Sequence, residues 1–209
     1  MKKAFLLIVV LALALGITYL VLHKSESGRN MAEERDAPLA ISSKSSAFNR
    51  SFAGVLNHYY HLSDAFTESD SARITNAANE LRLSIDSLRF DQLKADTAIV
   101  QTAVSLAQSV QSEISGLNGE KSMEQKKREF NMITDELYSL IRTLRYDGST
   151  VFHMRSTMAF ADSSEVYWLS PTNQIINPYL GKNNPVYKDK MAETGELSDS
   201  IHFAAPASE

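Results

Sequence analysis

Hydrophobic side chains recur at steps of three and four through residues 48–144. That spacing places them along one face of an α-helix. Four stripes can be recognised, with polar residues or glycine between them. The stripes are Phe48, Phe52, Val55, Tyr59, Leu62 and Phe66; Ile74, Ala78, Leu81, Ile85 and Leu88; Ile99, Ala103, Leu106, Val110, Ile114 and Leu117; and Phe130, Ile133, Leu137, Leu140 and Leu144. The pattern predicts a mainly α fold, in which four helices joined by short turns pack as an antiparallel up-down bundle.

Polar residues beside the stripes predict where the helices begin and end. Ser69 or Asp70 can cap the second helix, because the side-chain oxygen of such residues accepts backbone N–H groups. Asn118 and Gly119 tolerate the left-handed conformation and are expected to end the third helix. Ser122 resembles the first residue of a capping box at the start of the fourth.

The helical spacing is lost beyond Thr150. Across residues 151–181, aromatic and β-branched residues are bounded by proline, asparagine and glycine, which is typical of short strands. We expect a C-terminal tail of extended segments or short strands packed on the bundle, with Trp168 and Tyr179 large enough to anchor it. Residues 47–197 would then be the bundle plus this extended region, and residues 198–209 a disordered tail.

The chain begins with two lysines, Lys2 and Lys3, followed by an uncharged and mainly apolar run over residues 4–22. A helix of that length spans roughly 28 Å, close to the hydrocarbon thickness of a bilayer. Residues 1–23 are therefore predicted to be a transmembrane anchor. A cleaved signal is the alternative, since Ala12, Ala14 and Gly16 offer a cleavage site. Residues 24–46 are polar and without pattern, which predicts a flexible linker.

The lysines also predict the location of the domain. Lys2 and Lys3 stay on the cytoplasmic side under the positive-inside rule. The chain would therefore be a single-pass protein of the inner (cytoplasmic) membrane with its C-terminal domain in the periplasm. If the signal is cleaved, the domain would instead be released into the periplasm.

Composition excludes several functions. The net charge of −4 argues against nucleic acid as a partner, because phosphate binding needs a basic surface. The chain has no cysteine, which excludes disulfides and thiolate chemistry. Gly-x-Ser-x-Gly, phosphate-loop, dinucleotide and His-Glu-x-x-His motifs are all missing. Carboxylates such as Glu80 are interpreted as solvated. The protein is therefore predicted not to be an enzyme.

Short motifs in the tail carry a resemblance to a known family. They are Phe152-His153-Met154, Met158-Ala159-Phe160, Trp168-Leu169-Ser170, Asn177-Pro178-Tyr179-Leu180-Gly181, and Met191 with Thr194-Gly195-Glu196. With them, residues 48–197 resemble a domain of unknown function from Bacteroidetes-type bacteria. That domain is found attached to, or encoded near, periplasmic adaptor subunits of heavy-metal (copper, silver or cation) efflux systems. The family pattern has cysteine where this chain has Ser156-Thr157 and Thr194, so the resemblance is to a member lacking those cysteines.

The resemblance raises the question of a soft metal ion. Cu(I) and Ag(I) accept methionine sulfur and histidine nitrogen as well as cysteine. The resemblance would bring Met158 and Met191 together, next to the positions of the missing cysteines. A second pair, His58 and His61, lies three residues apart on one side of the first helix. The candidate ligands are His153, Met154, Met158, Met191, His58 and His61.

Each candidate also has an ordinary structural interpretation. Methionine commonly fills irregular gaps in a core, and His58 borders the buried stripe of the first helix. The leading hypothesis is a non-enzymatic, membrane-tethered periplasmic domain, accessory to heavy-metal efflux through weak soft-metal binding or through binding an efflux adaptor or other envelope protein. The alternative is a structural or protein-interaction module of the cell envelope that binds no metal.

Overall fold

The computed structural model describes residues 46–182 and 188–203. Within these residues, four long helices come first and a small sheet follows. The helices are α1 (Ser46–Thr67), α2 (Ser71–Asp86), α3 (Thr97–Gly119) and α4 (Met123–Leu144). The strands are β1 (Val151–Ser156), β2 (Val166–Ser170) and β3 (Glu196–Ile201), with short 3₁₀ segments at Phe90–Gln92 and Lys188–Glu193. The prediction of a mainly α protein with four helices and short strands is confirmed.

The predicted stripes form the core of the bundle. All of their members are buried except Leu106, which is partly buried. Consecutive helices pack on one another, and α4 also contacts α1, because the Phe130 ring lies 5.4 Å from that of Tyr59 and 4.6 Å from that of Phe66. A helical bundle is thus confirmed, whereas its up-down arrangement stays a prediction.

The three expected helix boundaries are in place, since α2 follows Asp70, α3 ends at Gly119 and α4 follows Ser122, but two of the capping contacts differ. Asp70 caps α2 as predicted, since its carboxylate accepts the backbone N–H groups of Ala72 and Arg73. The left-handed cap expected at the end of α3 is wrong, because the chain continues in an extended conformation at Glu120. Lys126 makes such a cap unnecessary, since its Nζ donates to the terminal carbonyl of Leu117 at 2.7 Å. The capping box is also wrong, because the Ser122 side chain makes no capping hydrogen bond.

The sheet is antiparallel, with the strand order β2-β1-β3. Its third strand corrects the sequence analysis, which assigned residues 198–209 to a disordered tail. Residues 198–201 belong to β3, in which residues 199–201 pair with β1, and Ile201 is buried. Pairing with β3 satisfies the backbone hydrogen-bonding groups along that edge of β1. The local composition of residues 196–201 does not reveal this pairing. Residues 204–209 lie outside the described residues.

Hydrogen bonds from the helices hold β2 on the bundle. The Leu169 N–H donates to Tyr59 Oη at 3.1 Å, and the Tyr167 N–H donates to Asn131 Oδ1 at 2.7 Å. Trp168 and Tyr179 are each only 1% exposed. The tail therefore packs on the bundle, and these two residues anchor it as predicted.

The predicted anchor, and the linker up to residue 45, lie outside the described residues. Ser46, the last residue assigned to the linker, begins α1. Among the helices that the structure describes, none is both long enough and apolar enough to cross a bilayer.

Candidate metal centre

Three ligand-type side chains meet on the surface shared by α1 and α2. His58 and His61 lie on α1, and Glu80 lies on α2. One ligand atom from each residue lies within 4.8 Å of the other two. His58 Nδ1 is 3.6 Å from Glu80 Oε2, and the two imidazole centroids are 6.1 Å apart. We call His58, His61 and Glu80 the His-His-Glu cluster.

The packing of α1 against α2 builds this cluster. His58 directly precedes the buried Tyr59 in α1, while Glu80 directly precedes the buried Leu81 in α2. Both side chains therefore lie at the edge of the packed stripes. The separation of two helices depends on the side chains between them. On α2 the buried residues include Ala77 and Ala78, which are small enough for a close approach.

The cluster lies at the surface, where His61 and Glu80 are exposed and His58 is half-buried. The His58 side chain is 37% exposed and that of Glu80 is 57% exposed. Even so, His58 Nδ1 itself is shielded from solvent and makes no hydrogen bond among the described residues. A shielded nitrogen beside a carboxylate is a position in which a cation is favourable.

The donor set and spacing suit a particular class of ion. In a tetrahedral site with metal–ligand distances of about 2.0–2.2 Å, the ligand atoms lie roughly 3.4 Å apart. The His58–Glu80 separation of 3.6 Å is close to that value. The other ligand atoms lie within 4.8 Å of one another, so their separations need to shorten by at most about 1.4 Å to reach it. Imidazole with carboxylate suits divalent zinc, copper or nickel better than Cu(I) or Ag(I), which favour sulfur.

Beside the cluster, a shallow groove runs between α1 and α2. Apart from His58 and Glu80, its lining residues are small, polar or exposed: Ser51, Gly54, Leu83, Ser84 and Ser87. A Cβ atom added at Gly54 would have no neighbour within 4 Å. The groove therefore leaves open space next to the ligand atoms.

The cluster lies in the part of the chain that matches a known protein family. Residues 55–147 match the model of a family described as a protein of unknown function, DUF3347. The helical part of the chain is thus similar to a domain of unknown function. The matched segment contains the whole His-His-Glu cluster but ends before β1, so the tail motifs lie outside it. The chain matches no curated protein and no solved structure. A link to heavy-metal efflux in Bacteroidetes-type bacteria stays a prediction.

The structure places the tail candidates in different environments. Met154 is fully buried in the core, whereas Met158 is 59% exposed. The side chain of Met191 lies outside the described residues. His153 is 6% exposed and stacks between Tyr138 and Tyr167, with ring centroids 4.1 Å and 4.7 Å away. Enclosure between two rings gives His153 a packing role, and all four tail residues remain predictions as metal ligands.

The two tail segments that the resemblance aligns with cysteine positions lie side by side. Ser156, Thr157 and Met158 line one shallow pocket together with Gly195 and Glu196. Hydroxyl oxygens, however, are hard donors and poor ligands for Cu(I). The pocket in this chain consequently lacks the sulfur pair that a soft ion prefers.

Sequence reasoning missed Glu80, which it assigned to a solvated face. A usable signal was present: if α1 and α2 form an antiparallel hairpin, residues equally distant from the turn lie opposite each other. Ser69 lies in that turn with a positive φ of 56°, and His58 and Glu80 are each 11 residues from it, at 69 − 58 and 80 − 69.

His153 is expected to make stability depend on pH. Burial lowers the pKa of its imidazole to about 4, which Asp199 opposes and Arg142 reinforces. The unfolded value is about 6.5, so the unfolded chain binds more protons between these values. The free energy of unfolding should therefore fall by roughly 3 kcal/mol as the pH drops from 6.5 to 4.

Denaturant titrations of the detergent-solubilised chain at pH 7 and pH 4.5 measure this effect. The His153→Phe variant, which keeps a ring between the two tyrosines, should lose less stability than wild type over that interval. Burial raises the pKa of Asp135 to about 6. Protonation of this carboxyl therefore stabilises the folded state as the pH falls, and it does so in both proteins. An equal loss in the two proteins would contradict the prediction.

Proposed function

We propose that this chain is a non-enzymatic, membrane-tethered periplasmic domain that binds a divalent transition-metal ion through the His-His-Glu cluster. In this role it would be accessory to a metal-efflux or other envelope system. The observation that carries the proposal is the convergence of three ligand atoms within 4.8 Å from two helices. Two of these residues, His58 and His61, are also metal candidates by sequence spacing alone.

An ion accounts for the cluster better than an ion pair does. Exposed His–Glu pairs are common and contribute only about 0–1 kcal/mol. Here a third ligand-type side chain, His61, joins the pair. In addition, leaving a shielded polar atom such as His58 Nδ1 without a hydrogen bond costs about 1–3 kcal/mol. A coordinated cation would offset that cost.

The surroundings favour ion binding over catalysis. A metal-assisted hydrolase needs a general base close to the metal-bound water. Apart from the cluster's own members, the groove is lined by serines, Gly54 and Leu83, none of which serves as a base at neutral pH. The cluster therefore suits holding or transferring an ion.

Other parts of the proposal rest on the sequence. The apolar run over residues 4–22 after Lys2 and Lys3 supports the membrane tether and the periplasmic side. The resemblance of residues 48–197 supports a place beside metal-efflux adaptors. If the domain binds no ion, a structural or interaction module of the envelope is the function that remains.

Metal titration of the full chain in detergent, followed by calorimetry, tests the proposal. Zn²⁺ and Cu²⁺ should bind with micromolar or tighter affinity and more tightly than Ag(I). His58→Ala and Glu80→Gln should each weaken binding by about 10-fold or more, because each removes one of three ligands. His202→Ala is the matched control, since this histidine is exposed and its Nδ1 contacts the Thr150 hydroxyl instead.

Two results would contradict the proposal. One is the absence of Zn²⁺ or Cu²⁺ binding at micromolar concentrations. The other is an affinity that His58→Ala leaves equal to that of the His202→Ala control. Preference for Ag(I) that is lost in His153→Ala would instead support a soft-metal site in the tail.

A further inference from the structure

We infer that an ion held by the His-His-Glu cluster keeps one coordination position open toward the groove at Gly54, and that this position takes an imidazole donor from a second molecule. The inference rests on the proposed function, because it concerns the same ion. It adds the chemical class of the incoming ligand, which is the side chain of a histidine.

The number of protein donors leaves a position for an external ligand. The cluster offers three ligand atoms, one from each residue. Zinc takes at least four ligands, and sites with three protein ligands keep the fourth position for water or substrate. Divalent copper likewise takes four or more ligands in tetragonal geometry. A bound ion therefore presents at least one exchangeable position.

The space for that ligand is on the Gly54 side. Gly54 lies four residues before His58 on α1, so both occupy the same face one turn apart. An added Cβ at Gly54 meets nothing within 4 Å. Any larger residue there would project a side chain into this space. Glycine thus keeps open a path to the ion from outside.

The polar residues of the groove distinguish imidazole from carboxylate. The Ser84 hydroxyl donates its hydrogen to the Leu81 carbonyl at 2.7 Å, and the Ser87 hydroxyl donates to the Ser84 carbonyl at 2.7 Å. With their hydrogens used, both oxygens can still accept. A metal-bound imidazole has an N–H on its second nitrogen that needs an acceptor. A carboxylate has no such hydrogen and would meet only lone pairs at these two hydroxyls.

An apolar contact also suits a ring. Leu83 is 65% exposed and lines the same groove, three residues after Glu80 on α2. The edge of an imidazole could cover part of this side chain while one nitrogen binds the ion. A histidine-bearing partner would in this way share the ion with the cluster, which provides a route for ligand exchange.

The test uses the full chain in detergent, loaded with one equivalent of Cu²⁺ and titrated with free imidazole or with acetate. Pulsed electron paramagnetic resonance counts the coordinated imidazoles. The expected count is two before titration and three afterwards, with no comparable change in acetate. Gly54→His should strengthen Cu²⁺ binding by about 10-fold and abolish the response to imidazole. Gly119→His is the matched control, because Gly119 also has open space around an added Cβ but lies on α3.

The possible failures are distinguishable. Loss of all Cu²⁺ binding overturns both the proposed function and this inference. Binding with two imidazoles that does not respond to added imidazole overturns the inference alone. An equal response to acetate, or equal effects of Gly54→His and Gly119→His, also overturns it while leaving the ion site intact.

Discussion

Replacing Trp168 by alanine is expected to lower the free energy of unfolding by about 3–5 kcal/mol, the range for large aromatic residues removed from a core. Trp168 is 1% exposed, and its ring lies 6.4 Å from that of Tyr179, between centroids. Its indole also packs on the backbone of Gly195, where an added Cβ would lie 2.6 Å from Trp168 Cη2. The side chain therefore joins β2 to two other segments of the tail, and removing it leaves a cavity among all three.

Guanidinium denaturation of the detergent-solubilised chain, followed by circular dichroism, measures the change. Leu83→Ala is the control, because Leu83 is 65% exposed and should alter stability by less than about 0.5 kcal/mol. Trp168 is the chain's only tryptophan, so the fluorescence of wild type reports on the tail. If the tail and bundle unfold together, fluorescence and dichroism should give one transition. A Trp168→Ala cost no greater than that of Leu83→Ala would refute the anchoring role.

Saturating Zn²⁺ is expected to stabilise the folded chain by about 2.7 kcal/mol when its free concentration is 100 times the dissociation constant. The ligands lie on two helices and are separated by up to 22 residues, from 58 to 80. Folding is needed to bring them within 4.8 Å. The unfolded chain should consequently bind the ion more weakly, and binding should favour the folded state.

Thermal or denaturant unfolding with and without Zn²⁺ checks this second prediction. The stabilisation should disappear in His58→Ala and persist in His202→Ala. Stabilisation of equal size in these two variants would show that the ion binds elsewhere. A wild type that binds Zn²⁺ without any gain in stability would show that the unfolded chain binds it equally well.

Helical periodicity identified the four helices and most of their core residues, because the helix period is a local property of the chain. It did not identify Leu56, Ala65, Ala77, Ala107 and Ile141, which are also buried. The cap at Asp70 was predictable for the same reason, since its hydrogen bonds reach only two and three residues ahead. Aromatic content likewise located β1 and β2 and named Trp168 and Tyr179 as anchors. These features depend on neighbours in sequence.

Other features depend on residues far apart in the chain. The acidic, mostly exposed segment of β3 has little strand character of its own and becomes a strand by pairing with β1, more than 40 residues earlier. Lys126 satisfies the Leu117 carbonyl from the next helix, which removes the need for the expected left-handed cap. The enclosure of His153 requires Tyr138 from α4 and Tyr167 from β2.

The candidate site shows the same division. Sequence alone determined that His58 and His61 share one side of a helix, because three residues make nearly one turn. It also indicated that no cysteine could supply a thiolate ligand. Only the tertiary structure decided that Glu80 completes the set, because the packing of α1 against α2 sets which exposed side chains of the two helices face each other. That packing also creates the open groove at Gly54, because residues of both helices line it.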